Sequence, residues 1–193
     1  MSLYAEGNFG HPVGSVPRHD DAVVERVTAV AKGHDLQGVD LRAFYRDARA
    51  GCAQTSAICL DAAEQRFEAT VLTPLSRDRD KFVVLSFAWD DPAWRAHAHH
   101  ELLHAQYFLD ARYHGAVAEF WASLGEEERQ AVMVALASIY ATDRVELVQN
   151  EAQAYLLQEN AEDGMLGSFV SWLAPPLRER LIRAGAPPIA LTP

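Results

Sequence analysis

The sequence His97-Ala98-His99-His100-Glu101-Leu102-Leu103-His104 contains one H-E-x-x-H pattern, formed by His100, Glu101 and His104. Two residues four apart on a helix are offset by about 40° and by about 6 Å along its axis. Helical phase therefore places the two imidazoles on one face, close enough to hold one metal ion. Glu101 lies about 100° round the helix from His100, beside such an ion, where its carboxylate can act on a water molecule.

The residues before the pattern predict the helix that carries it. Asp90-Asp91-Pro92 combines an acidic cap with a proline in the first turn, which is typical of a helix start. We expect the helix to run from about Ala93 to Leu109. Its clearly polar positions are His99, Gln106 and Asp110. A helix that is apolar on two faces is buried between layers, so the two histidines should be held in the interior.

A third ligand is predicted on a later helix, from Asp143 to about Asn160. Glu151, in Asn150-Glu151-Ala152-Gln153-Ala154-Tyr155-Leu156, falls on the edge of the apolar stripe of that helix. A carboxylate directed at apolar surroundings is costly unless it is paired or bound to metal. Beside an H-E-x-x-H pattern we therefore favour Glu151 as a ligand. The alternative is an edge glutamate whose stem packs while its carboxylate reaches water.

Asp110 is a rival for the third ligand, because it follows His104 by six residues. In metal sites with that spacing, a glycine breaks the helix and turns the chain back to the metal. Tyr107 occupies the position of that glycine here, and the sequence indicates no break before Asp110. On a continued helix Asp110 points away from the histidine pair by about 100°, so we rank it below Glu151.

The N-terminal half is predicted to mix helices with short strands. Residues 1–19 carry several glycines and prolines without periodicity and read as an irregular leader. Helices are expected at 20–33 and 40–51. Short strands are expected at 56–60, 66–72 and 81–89, and their short connections favour antiparallel pairing.

The C-terminal half is predicted to be mainly helical. Helices are expected at 115–124, at 125–140 and after Pro175-Pro176, with a short segment at 169–173. We therefore expect an α+β fold, in which a short antiparallel sheet packs on the active-site helix. Residues 20–185 should form a single domain, followed by an extended tail at 186–193.

Composition narrows the possible classes of function. The 193-residue chain is 49% apolar and 23% charged, as is ordinary for a soluble globular protein. Its net charge of −10 argues against nucleic acid as a partner. No run approaches the roughly 18 apolar residues of a membrane span. The first residues do not resemble a signal peptide, so we expect a cytoplasmic protein, or an exported one whose signal is absent from this chain.

Cys52 and Cys59 are the two cysteines of the chain, seven residues apart. On a continuous helix they would lie about 10 Å apart, too far for a disulfide. A bridge across an irregular turn is the alternative, and two small buried thiols are the favoured interpretation.

The sequence His100-Glu101-Leu102-Leu103-His104, followed by Asn150-Glu151 on a later helix, resembles the gluzincin group of zincin metallopeptidases. It is similar to their small versions, which combine a short antiparallel sheet, an active-site helix and a glutamate-bearing helix. The longer patterns around both stretches also resemble zincin-like bacterial proteins. The resemblance covers about residues 80–160.

This resemblance implies a zinc site and a catalytic role for each residue. His100, His104 and Glu151 would bind Zn²⁺, and Glu101 would serve as general base and proton shuttle. The strand near 82–89 would border the cleft and pair with an extended peptide.

The family also uses a tyrosine or histidine to stabilise the oxyanion. Tyr155, one turn after Glu151, is our candidate, and a core tyrosine is about as well supported. Tyr107 and Tyr113 are weaker candidates for the same role. His97 and His99 could support the ligands from behind or lie at the entrance of the site, and partly exposed histidines without a role are the favoured interpretation for both.

The leading hypothesis is thus a zinc-dependent metallopeptidase, a hydrolase that acts on a peptide or protein substrate. One alternative is a catalytically silent zincin-like domain that binds a metal or a peptide. A helical interaction domain with chance histidines is a second alternative, and a zinc hydrolase with a non-peptide substrate is a third.

Overall fold

The structure is a computed structural model that describes residues 33–55, 60–78, 81–87, 90–158, 166 and 170–191. Its first elements are β1 (Gly33–Gln37), α1 (Gly38–Thr55), α2 (Ala62–Phe67), a π-helical segment (Glu68–Leu72), α3 (Thr73–Asp78) and β2 (Val83–Phe87). Helices follow: α4 (Trp94–Leu109), α5 (Ala111–Ser123), α6 (Glu126–Leu136), α7 (Val145–Leu157), a 3₁₀ turn (Ser171–Leu173) and α8 (Ala174–Arg183). The predicted α+β class and the mainly helical C-terminal half are confirmed.

The sheet in the described residues consists of β1 and β2, which pair antiparallel. β2 confirms the strand predicted within 81–89, whereas β1 was not predicted. Just beyond the sheet, the Gly38 N–H donates to the Phe82 carbonyl at 2.9 Å. A Cβ on Gly38 would lie 2.6 Å from the Phe82 ring, so the close packing here requires glycine.

The strand predicted at 66–72 is wrong, because this stretch is helical. Asp61 and Glu64 form a capping box that starts α2: the Asp61 carboxylate accepts from the backbone of Glu64, and the Glu64 carboxylate accepts from that of Asp61. In the π-helical segment that follows, the wider turn places Phe67 and Leu72, five residues apart, against one core. The alternating apolar residues that suggested a strand thus belong to a helix with a π bulge.

The described residues form two compact units, each with its own core. One unit includes 36–84, with its core built from Leu41, Phe44, Tyr45, Ala48, Leu60, Leu72 and Phe82. The other includes 33–35 and the chain from 85 onward, with its core built from helices α4 to α8. The single domain proposed for 20–185 stays a prediction, since part of that range lies outside the described residues.

The helix α4 begins at Trp94, one residue after the predicted start, and its N-cap residue Ala93 makes no side-chain cap hydrogen bond. The Asp91 side chain accepts from the Ala93 N–H at 2.8 Å just before the helix, so the acidic cap predicted at 90–91 does not bond to the first helical turn. At the other end Asp110 caps α5 by accepting from Arg112 N–H at 2.9 Å. Because of this cap, α5 begins at Ala111, four residues before the predicted start at Gly115. The helix α4 packs against both α5 and α7.

Several predictions fall on residues that the structure does not describe. These are the leader at 1–19, the helix at 20–33 apart from Gly33, and the strand at 56–60 apart from Leu60. The side chains of Cys52 and Cys59 also lie outside the described part, so their pairing stays untested. No helix in the described part of the chain is long and apolar enough to cross a membrane.

Candidate metal centre

The three predicted ligands come together between α4 and α7. Nε2 of His100 and Nε2 of His104 lie 2.9 Å apart, and Oε2 of Glu151 lies 3.7 Å from each of them. All three side chains are buried, with 2% of His104 and of Glu151 exposed. The helical phase read from the sequence thus matches the observed convergence of two imidazoles and one carboxylate.

The separations between these atoms fit one small cation. Tetrahedral zinc with bonds of about 2.0–2.1 Å to nitrogen and oxygen sets its ligands about 3.3 Å apart. The observed separations of 2.9, 3.7 and 3.7 Å bracket that value. Within the described residues, Oε2 of Glu151 is a buried atom without a hydrogen-bond donor. A buried carboxylate oxygen in that position is costly unless a cation faces it, so the donor set fits a metal ion.

Hydrogen bonds hold the outer nitrogen of each histidine. His100 Nδ1 lies 2.8 Å from Oε1 of Gln158, and His104 Nδ1 lies 2.9 Å from Oδ1 of Asn150. A histidine that donates from Nδ1 presents the lone pair of Nε2 on its other side. Metal-bound histidines characteristically donate their second nitrogen to such an acceptor, which fixes the ring orientation.

Burial sets the charge states of the three groups. It lowers the pKa of His100 and of His104 to about 4, so both imidazoles are neutral and able to bind metal at pH 7. Burial also raises the pKa of Glu151, and His104 and the hydroxyl of Tyr140 oppose that shift. Burial thus disfavours the carboxylate form of Glu151, and a cation bound between the three side chains would favour it.

Glu101 lies beside the histidine pair and against the first residues of β1. An oxygen of Glu101, an oxygen of Asp35 and a nitrogen of His104 all lie within 4.8 Å of one another. A Cβ on Gly33 would lie 2.9 Å from the carboxylate carbon of Glu101 and would overlap an oxygen of that carboxylate. Glycine thus permits the backbone of β1 to approach the proposed general base.

Tyr155 lies on the His100 side of the centre. Its ring centroid is 4.4 Å from that of His100, and its hydroxyl is 3.4 Å from the hydroxyl of Tyr140. Tyr140 in turn hydrogen-bonds to Glu151. The position of Tyr155 is compatible with donating to a substrate oxygen, and its oxyanion role stays a prediction.

The two extra histidines of the opening stretch differ from each other. The His97 side chain is 35% exposed and lies 3.8 Å from Asp91. His99 is buried and its Nε2–H donates to the Ile189 carbonyl at 2.8 Å, so the expectation that it is partly exposed is wrong. Gln106, on the same stripe, also binds the C-terminal segment, through the Pro187 carbonyl and the Ile189 N–H. The polar stripe of α4 therefore faces this segment.

Asp110 does not join the ligands. Its carboxylate caps α5 and lies 3.5 Å from a guanidinium nitrogen of Arg112. This cap and the Arg112 guanidinium hold the pKa of Asp110 below its ordinary value.

Four residues around the centre were missed by sequence reasoning: Asp35, Tyr140, Asn150 and Gln158. Asn150 directly precedes the predicted ligand Glu151. Its side-chain amide oxygen can accept a hydrogen bond from a histidine, so the sequence could have suggested this role. Gln158 follows Glu151 by seven residues, a spacing that returns to nearly the same helical face. Asp35 lies in a segment without a predicted element, and Tyr140 is the last residue of the helix predicted at 125–140. Neither position carried such a signal.

No family model, curated protein or solved structure matches this chain.

Proposed function

We propose that this protein is a zinc-dependent metallopeptidase. The observation that carries the proposal is the buried convergence of His100, His104 and Glu151, whose Nε2 and Oε2 atoms lie 2.9–3.7 Å apart. These three residues would hold the ion. Two imidazoles and one carboxylate leave one position of a tetrahedral site open, as in catalytic zinc sites. When bound, zinc would supply the Lewis acidity that activates water and polarises a carbonyl.

Glu101 is the general base in this proposal. It follows His100 directly, and an oxygen of its carboxylate lies within 4.8 Å of a nitrogen of His104. It accepts a proton from the attacking water as the water oxygen bonds to the peptide carbonyl carbon. It then returns that proton to the amide nitrogen as the C–N bond breaks. Tyr155 would donate its hydroxyl hydrogen to the oxygen that becomes negatively charged.

A peptide substrate is supported by the resemblance to gluzincins and by the exposed end of β2. Ser86 and Phe87 are exposed, and each strand of a two-stranded sheet has one edge that its partner does not cover. An extended peptide can add to such an edge through main-chain hydrogen bonds.

Hydrolysis of a quenched-fluorescence peptide library by zinc-loaded protein tests the proposal. We expect wild-type protein to cleave a subset of the peptides and Glu101→Gln to lose at least about 100-fold in rate while it keeps its zinc. Arg95→Gln, an exchange elsewhere on α4, serves as the control and should retain activity. Equal rates for wild type and Glu101→Gln, or no cleavage by the zinc-loaded wild type, would contradict the peptidase proposal.

A further inference from the structure

A line of buried polar side chains runs from the metal centre into the core of the helical unit. His104 Nδ1 lies 2.9 Å from Oδ1 of Asn150, and Nε2 of Gln153 lies 3.4 Å from the same oxygen. The Tyr113 hydroxyl donates to Oε1 of Gln153 at 2.6 Å. All four residues are buried, with at most 5% exposed, so these groups depend on one another for partners.

The orientation of the Gln153 amide is fixed by a backbone carbonyl. Nε2 of Gln153 lies 2.9 Å from the main-chain oxygen of Asn150, and a carbonyl oxygen can only accept a hydrogen bond. A flipped amide would set two oxygens against each other at that distance. The amide nitrogen must therefore face α7, and the amide oxygen must face the hydroxyl of Tyr113.

The Gln153 amide in turn orients the side chain of Asn150. An N–H of Gln153 faces this side chain at 3.4 Å, so an oxygen there is favourable and an NH₂ group would be repelled. The same oxygen contacts Nδ1 of His104. An acceptor at that point requires a hydrogen on Nδ1, which leaves the lone pair on Nε2, the atom that faces Glu151.

We propose that Gln153 is a positioning residue that sets the tautomer of His104 through Asn150. The effect of this positioning on metal binding rests on the function proposed above. The tautomer of His104 can be measured independently, in metal-free protein. Loss of an outer hydrogen-bond partner typically weakens metal binding by about 10- to 100-fold. Among the described residues, the side chain of Gln153 hydrogen-bonds to Tyr113 and Asn150, so its effect on the proposed ligand His104 passes through Asn150.

The two histidines differ in how firmly their tautomers are set. Among the described residues, the Gln158 amide has no hydrogen bond that fixes which of its ends faces His100. His100 can therefore take the tautomer with hydrogen on Nε2. With hydrogen on Nδ1 of His104, the 2.9 Å contact between the two Nε2 atoms requires that His100 donate from Nε2 in metal-free protein. His104 then stays in one tautomer throughout, and His100 changes tautomer when a metal binds.

The experiment is ¹⁵N imidazole spectroscopy of metal-free protein at pH 7, with the His104 signals assigned from their loss in His104→Gln. In wild type we expect hydrogen on Nδ1 of His104. Gln153→Leu frees the Asn150 amide to flip. Hydrogen should then also be found on Nε2 of His104, and zinc Kd should rise at least about tenfold.

Tyr113→Phe is the matched control. It also removes the Tyr113–Gln153 hydrogen bond, but it leaves the contact with the Asn150 carbonyl that orients the Gln153 amide. It should keep the wild-type tautomer and a zinc Kd within about threefold of wild type.

A rescue variant separates positioning from a general loss of structure. Asn150→Asp supplies a carboxylate that can only accept, so adding it to Gln153→Leu should restore hydrogen on Nδ1 of His104. The proposal is overturned if wild-type His104 carries its hydrogen on Nε2. This outcome is measured on wild-type protein alone, so it tests the proposal even where a variant fails to fold. It is also overturned if Gln153→Leu leaves the tautomer unchanged. If the tautomers behave as expected while wild type binds no zinc, the positioning role stands and the metallopeptidase proposal fails.

Discussion

Asn150 and Glu151 are neighbours in sequence, yet they face opposite nitrogens of the same imidazole. Oδ1 of Asn150 lies 2.9 Å from Nδ1 of His104, and Oε2 of Glu151 lies 3.7 Å from its Nε2. The side chains of consecutive residues point about 100° apart around a helix axis. Two neighbouring residues of α7 can therefore contact the His104 ring at its two different nitrogens. One dipeptide thus supplies both a proposed ligand and the acceptor that orients another ligand.

We predict opposite effects of Glu151→Gln on metal affinity and on the stability of the metal-free protein. The variant removes a ligand charge, so zinc Kd should rise by at least about tenfold. It also removes a carboxyl group whose charged form is disfavoured by burial, as its raised pKa indicates. At pH 7 the metal-free variant should therefore unfold at the same temperature as wild type or at a higher one. Calorimetric titration and thermal unfolding measure the two effects.

Glu127→Gln is the matched control for that experiment, because Glu127 is exposed on α6. It should change neither zinc Kd nor unfolding. A Glu151→Gln protein that binds zinc as tightly as wild type would exclude Glu151 as a ligand.

Gly33→Ala should impair catalysis while the metal remains bound. The new methyl group would overlap the carboxylate of Glu101, which is buried and must move away. The three atoms nearest to this Cβ all belong to Glu101, so zinc stoichiometry should stay at the wild-type value. We expect a loss of at least about tenfold in peptidase kcat, because displacement of a general base removes part of its contribution.

Gly115→Ala controls for the general effect of alanine. A Cβ at Gly115 meets nothing within 4 Å and lies within α5, so this exchange should be neutral or stabilising by up to about 1 kcal/mol. Full activity of Gly33→Ala would show that Glu101 does not act from the observed position.

The metal-free protein should lose stability as the pH falls from 6.5 to about 4. In the unfolded chain His100 and His104 bind protons below pH 6.5, whereas in the folded protein they do so only near pH 4. Acid therefore favours the unfolded chain in this window, by roughly 3 kcal/mol for each histidine. Glu151 acts in the opposite sense: its raised pKa contributes stability below its ordinary value of 4.5 that is lost as the pH rises through the folded-state pKa.

Denaturant unfolding of wild type and His104→Gln across pH 4–7 measures this dependence. The variant has one titrating histidine fewer at the centre, so its stability should fall less steeply with acid. Parallel curves for the two proteins would contradict the assignment of His104 as a buried neutral histidine.

Gln106→Ala should release the C-terminal segment from α4. The Gln106 amide both donates to the Pro187 carbonyl and accepts from the Ile189 N–H, each at 2.8 Å. Losing both bonds should cost about 1–3 kcal/mol and speed amide hydrogen exchange at Ile189. Gln130→Ala, an exposed glutamine on α6, is the control, and an unchanged exchange rate at Ile189 in Gln106→Ala would argue against this contact.

The shared face of His100 and His104 was predictable because helical phase alone determines it. His100 and His104 are one turn apart, and a carboxylate at the edge of an apolar stripe marked Glu151. The sheet was less accessible to sequence reasoning. The sequence of β1 shows no apolar alternation, because Leu36 is its one large apolar residue. The alternating apolar residues at 66–72 belong instead to a helical stretch that begins at the Asp61 cap.

The supporting residues were missed because their roles depend on tertiary contacts. Asp35 reaches Glu101 from a strand without sequence signal, and Tyr140 reaches Glu151 from a turn. His99 was expected to be partly exposed, since nothing in the sequence showed that residues near Ile189 would cover it. Local periodicity thus located the proposed ligands and left their hydrogen-bond partners undetermined.

Elemental analysis of wild type and His104→Ala after reconstitution with zinc and removal of excess ion tests the central claim most directly. The buried convergence of His100, His104 and Glu151 predicts one zinc ion per wild-type chain and none in the variant. Wild-type protein without stoichiometric zinc, or a variant that retains it, would contradict the proposed metal centre.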